Sequence, residues 1–111
     1  MALTERNKLA KVNGTGTMTA LTASYQYMTW DERDDRTSIV ITATDTCTVT
    51  IEKGDGIQGM EDLTLSISAA GTYVLRLDSG MFKHTTGTNK GKIGIKASAA
   101  SKATVGIAYN W

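Results

Sequence analysis

The sequence predicts an all-β fold, a single antiparallel β-sandwich led by an N-terminal arm, and three observations predict it. Apolar and polar residues alternate at period two in run after run, the pattern of a strand with one face buried and one toward water. Threonine stands at every second position from Thr42 to Thr50, and its β-branch suits a pleated face better than a helix. Glycine and Asx residues break the chain at short intervals, with no proline anywhere. Breaks roughly every 8–12 residues are the spacing of sandwich or barrel turns.

The arm comprises residues 1–16, and the sandwich residues 17–111. Leu3 to Val12 could make one helical turn or two, and Asn13-Gly14-Thr15-Gly16 breaks any continuation. A helix so short is unstable by itself. The segment also has few apolar groups to bury, so it reads either as an arm that orders against a partner rather than its own domain or as a frayed terminus. Leu3, Glu5, Arg6, Lys8, Leu9 and Lys11 are its candidate contact residues. The first strand is expected near 20–29, with Tyr25 and Tyr27 on one face and Trp30 at its end. Further strands follow near 37–43, 46–52, 62–68 and 72–77, where Ile39, Ile41, Val49, Ile51, Leu63, Leu65, Tyr73 and Leu75 take inward positions. The series closes near 81–85, 91–96 and 103–109. Eight strands suit a two-sheet sandwich and admit jelly-roll connections.

Composition bounds the function. The 111 residues make one ordinary domain. Lys plus Arg (12) balance Asp plus Glu (11), a net charge of +1, which argues against a nucleic-acid arm. No run approaches the roughly 18 apolar residues of a membrane span, and Met1–Ala10 has no apolar core of a signal peptide. The chain is therefore expected to be made in a reducing cytoplasm, and Asn13-Gly14-Thr15 reads as a turn rather than a glycan acceptor. One cysteine, Cys47, excludes an internal disulfide, and its inward position on a strand predicts a buried, inert thiol.

Three motifs carry potential chemistry, and each has a plainer structural reading. Gly54-Asp55-Gly56-Ile57-Gln58-Gly59 matches G-x-G-x-x-G, but Met60–Ser68 alternates at period two and opens no helix. Without a helix N-terminus nothing holds a pyrophosphate, so no cofactor is expected and the motif reads as a glycine loop using positive φ. Asp31-Glu32-Arg33-Asp34-Asp35-Arg36 offers oxygen ligands without the spacing of a calcium loop, and reads as a solvated loop with local ion pairs. His84, the single histidine, has no acidic or thiol neighbour in its own strand, so it reads as an unpartnered rim residue. The sequence therefore predicts no catalytic and no metal site, and a fold indifferent to chelators. The aromatic residues Tyr25, Tyr27, Trp30 and Trp111 are the interface candidates, since Tyr and Trp are enriched at contacts.

The segments Gly54-Asp55-Gly56-Ile57-Gln58-Gly59…Asp62-Leu63 and Leu77-Asp78-Ser79-Gly80-Met81-Phe82-Lys83…Gly87…Asn89-Lys90-Gly91-Lys92-Ile93 resemble those of small structural proteins of tailed bacteriophages. Some of those are decoration (cement) proteins bound to the outside of the head. The likeness spans about residues 36–109. It implies a non-enzymatic virion protein that binds the major capsid protein at the capsid surface and stabilises the head lattice. Low charge, Trp111 and the arm add the expectation of a homo-oligomer, a trimer, whose tied subunits would bind the lattice at high effective concentration. The alternative is a tail or fibre module binding a host-surface glycan. Exposure of Tyr25, Tyr27 and Trp30 separates the two.

Overall fold

The computed structural model describes residues 2–3, 7–9, 18–30, 33–56 and 59–110, and they form two packed sheets. The strands are β1 (Ala2–Leu3), β2 (Asn7–Leu9), β3 (Thr19–Ala20), β4 (Gln26–Thr29) and β5 (Thr37–Ala43). After them come β6 (Cys47–Ile51), β7 (Leu63–Ile67), β8 (Gly71–Leu75), β9 (Lys92–Ala97) and β10 (Ala103–Asn110). One sheet has the order β1-β4-β9-β6-β7 and the other β2-β10-β5-β8, with β3 beside β10. The all-β sandwich expected from the alternation is the fold observed, and every pairing from β3 onward is antiparallel.

The period-two pattern maps directly onto the core. On β5, Ile39, Ile41 and Ala43 point inward and are buried. They meet Val49 and Ile51 of β6, Ile93 and Ile95 of β9, and Val105 and Ile107 of β10. The chain changes sheet at every connection after β4 except that between β6 and β7. Short corners at residues 44–46, 68–70 and 98–102 lie at one end of the sandwich, and the longer connections 30–36, 52–62 and 76–91 at the other.

Three expectations change. The single strand near 20–29 is two, β3 and β4, in different sheets. Thr22 makes a side-chain turn with the Ser24 amide (3.2 Å), bending the chain across the sandwich. The strand near 81–85 is instead a short helix, α1 (Ser79–Phe82). Its N-cap, Asp78, accepts from the Gly80 amide at 2.9 Å. The arm also departs from its reading: Ala2–Leu3 pairs in parallel with β4, and Asn7–Leu9 with β10. Free edge groups of β4 and β10 supply the backbone partners that the arm's side chains do not. Of the candidate contacts, Leu3, Lys8 and Leu9 therefore lie on sheet strands, while Glu5, Arg6 and Lys11 fall outside the described residues.

Candidate functional site

The long connections meet at one end of the sandwich, and four carboxylates fasten them there. Asp34, in a 3₁₀ turn over Asp34–Arg36, accepts from the indole Nε1 of Trp30 and from the Ser79 amide, both at 2.9 Å. It ties the 30–36 connection to the start of α1. Asp55 accepts from four donors, the amides of Thr85 (2.6 Å) and Thr86 (3.2 Å) and their hydroxyls (2.8 and 2.6 Å). That set joins the glycine loop to the connection between α1 and β9. Asp62 accepts from the Lys53 amide (2.8 Å) and, more weakly, from the Tyr25 hydroxyl (3.4 Å). Glu52, just past β6, takes both the Tyr27 hydroxyl (3.1 Å) and His84 Nε2 (2.8 Å) on one oxygen. Backbone held by such bonds is preorganised, as recognition loops on a rigid scaffold need.

The glycine loop owes its residues to close approach. Gly54 donates its amide to the Met81 carbonyl at 2.9 Å, and a Cβ there would lie 2.6 Å from the Lys83 carbonyl oxygen. A Cβ on Gly59 would overlap the Gly54 carbonyl. Among the described residues, positive φ, expected in this loop, occurs instead at Gly87, Gly91 and Ser101. Ile57 and Gln58 lie outside the described residues.

His84 is the main correction at this end. Its side chain is 15% exposed, its Nε2 is bonded to Glu52, and its Nδ1 lies 3.9 Å from an Asp55 oxygen. A carboxylate only accepts, so Nε2 carries the proton in that bond. The Tyr27 ring meets the imidazole edge-on at 5.8 Å between centroids. Sequence reasoning missed the pair because its members are 32 residues apart. Pairing of β6 with β9 brings them together, since Glu52 follows one strand and His84 precedes the other. A cleft of about 370 Å³ opens here, lined by Tyr25, Glu52, Asp55, Asp62 and His84 among others.

The aromatic candidates divide. Tyr25 and Tyr27 are half-buried side by side, their rings 6.5 Å apart, with Lys96 Nζ 4.7 Å over the Tyr25 ring. Trp30 is 1% exposed and belongs to the core. Trp111 lies outside the described residues. Cys47 is half-buried rather than enclosed, beside a shallow cleft with Thr46, Thr48 and Ser66. In the acidic segment Arg33 forms the expected local pair with Asp35 (2.9 Å). Asp34 is instead a bracing residue, and residues 31 and 32 lie outside the described ones.

Electrostatics at this end favours the ionised forms of Asp34 and Asp55 and the neutral phenols of Tyr25 and Tyr27. Burial works to raise the Asp34 pKa, but the Ser79 amide, the Trp30 indole and the Lys83 charge together hold it below its ordinary value. The Thr86 hydroxyl, then the amide and hydroxyl of Thr85, depress Asp55 strongly. Burial and Glu52 raise Tyr27; burial and Asp62 raise Tyr25. Groups depressed in the folded state bind fewer protons than in the unfolded chain at mildly acid pH. Their stabilisation is complete above the ordinary carboxylate range, about pH 4, and is lost as pH falls through and below it. Thermal melts should therefore be insensitive to Asp34 and Asp55 ionisation between pH 5 and 7 and decline below about pH 4. Asp55→Asn should flatten that decline, and an unchanged acid limb would show that the four-donor set is not formed.

No group of three His, Cys, Asp or Glu side chains suited to a metal occurs among the described residues. EDTA is expected to leave the melting temperature unchanged. A shift of several degrees would return the 31–35 segment as a cation site. No family model, curated protein or solved structure matches the chain.

Proposed function

We propose that the protein is a non-enzymatic virion component that binds the outside of a phage capsid through this loop end and stabilises the head lattice. The carrying observation is a set of long connections gathered at one end of a rigid sandwich and fastened by carboxylate–amide bonds, with Met60 at the surface. Met60 is 79% exposed and Met81 of α1 is 37% exposed. A flexible thioether on a preordered loop suits an apolar contact with an irregular protein surface. The sequence resemblance to phage structural proteins supports the same reading. Its partner is the major capsid protein, and its place is the capsid surface. Purified protein mixed with heads lacking it should cosediment and saturate. Binding that never saturates, or no binding, contradicts the proposal.

A second reading, a tail or fibre module for a host-surface glycan, is favoured by one observation. The Tyr25–Glu52–Asp62–His84 cleft combines a half-buried tyrosine with carboxylates. Trp30, which an open aromatic platform would display, is enclosed instead. Glycan-array binding abolished by Tyr25→Ala would favour this second reading over the first.

A further inference from the structure

We infer that a second copy of this chain pairs along the open side of the sandwich, β7 of each copy lying against β8 of the other. One side of the sandwich is lined by β1 and β2. On the other, β7 and β8 end their sheets, and among the described residues nothing pairs with their outer edges. Neither strand contains a charge or a proline, the devices that normally keep an edge from pairing. Their inward residues Leu63, Leu65, Tyr73 and Leu75 stay half-buried, whereas Ile39, Val49, Ile51 and Ile95 on the inner strands are fully covered. The core is open along this side.

Direction and register select the partner. Three residues, 68–70, link β7 to β8, so β8 runs back along the same side. With a two-fold axis parallel to the strands, β7 of one copy therefore runs antiparallel to β8 of the other. Setting Leu65 opposite Tyr73 and Leu63 opposite Leu75 keeps inward residues together. The outward pairs are then Thr64 with Val74, which is 62% exposed, and Ser66 with Thr72. The same register sets Asp62 opposite Arg76, both exposed and of opposite charge. A β8–β8 pairing centred on Tyr73 would oppose Arg76 to Ala70, and a β7–β7 pairing centred on Leu65 would oppose Asp62 to Ser68. Only the mixed contact has charge complementarity at its end, and opposite charges directly across an antiparallel pair stabilise it.

Two copies close the arrangement. Each sheet runs through into the partner's other sheet, both contacts form about one axis, and no β7 or β8 edge is left over. The half-buried leucines and Tyr73 of both copies then share one core. The axis also points both loop ends the same way, so a dimer presents two Met60 surfaces to a flat lattice. That last consequence rests on the proposed function; the contact does not. The count differs from the trimer that the sequence leads one to expect.

The contact is tested in full-length protein carrying Cys47→Ser, Ser66→Cys and Thr72→Cys. The two new thiols sit on the outward faces of different sheets in one chain, but face each other across the contact. Mild oxidation should give a covalent dimer, with light scattering reporting twice the chain mass. Either new cysteine alone should give none. Thr64→Lys with Val74→Lys, both at exposed positions, opposes like charges and should raise the dissociation constant on the order of tenfold or more. A monomer at high micromolar concentration, or an oligomer without the crosslink, overturns the inference. Three copies sharing the crosslink also overturn it, because a reciprocal contact about a two-fold axis closes with two. A crosslinked dimer that ignores heads leaves the inference standing and overturns the capsid reading instead.

Discussion

Trp30→Ala is expected to lower stability by about 3–5 kcal/mol, the usual cost of deleting a buried aromatic side chain. The indole is 1% exposed in the core, and its backbone amide donates to the Gly91 carbonyl at 2.9 Å. Its Nε1 donates to Asp34, so truncation also strips one partner from the carboxylate that holds α1. For a domain of this size the melting temperature should fall by about 15 °C or more. Trp30→Phe separates the two contributions. It keeps most of the packing and leaves Asp34 bonded to Ser79, so a loss of about 1–2 kcal/mol is expected. If Trp30→Ala melts within a few degrees of the native protein, the indole is not a core residue and the bracing of this end is misassigned.

Gly54→Ala should be a clearly damaging conservative change at the loop end. The added methyl would lie 2.6 Å from the Lys83 carbonyl oxygen and 3.0 Å from the Phe82 carbonyl carbon, both backbone atoms that no rotamer change can move. Relief requires the 52–62 connection to pull away from α1, breaking the Gly54–Met81 bond. Overpacking of this kind costs about 1–3 kcal/mol. Gly56→Ala is the internal comparison, because a Cβ there would meet only a Thr85 methyl at 3.9 Å. Melts should show a clear loss for Gly54 and almost none for Gly56. Equal effects would mean that the loop's glycines serve flexibility rather than contact.

These two residues also show what the sequence makes legible. Strands β5 to β8, β9 and β10 were readable because each is half-buried, so alternation reports the pleat, and glycine or Asx residues mark the turns. Trp30 was visible as an aromatic at a strand end, but whether it faced solvent or core depended on which sheet the chain entered next. The cut between β3 and β4 was hidden because residues on both sides of the Thr22–Ser24 turn remain strand-like. The α1 helix over Ser79–Phe82 was hidden because its cap, Asp78, works through a single local bond. Gly54 was singled out by its motif, yet its reason, a carbonyl 29 residues away, is tertiary. The Glu52–His84 pair required the β6–β9 neighbour relation, which no local pattern encodes. The parallel pairing of Ala2–Leu3 and Asn7–Leu9 required knowing which edges the sheets leave free.

The proposal that the loop end is the attachment surface is tested most directly by titrating heads with native protein, Met60→Glu and Ala100→Glu. Both substitutions add one negative charge at an exposed position, one at the loop end and one at the corner end. Cosedimentation is expected to show saturable binding for native protein and Ala100→Glu, with Met60→Glu weaker by on the order of tenfold. If Met60→Glu binds as the native protein does, or Ala100→Glu is the variant that fails, the attachment surface lies elsewhere on the sandwich.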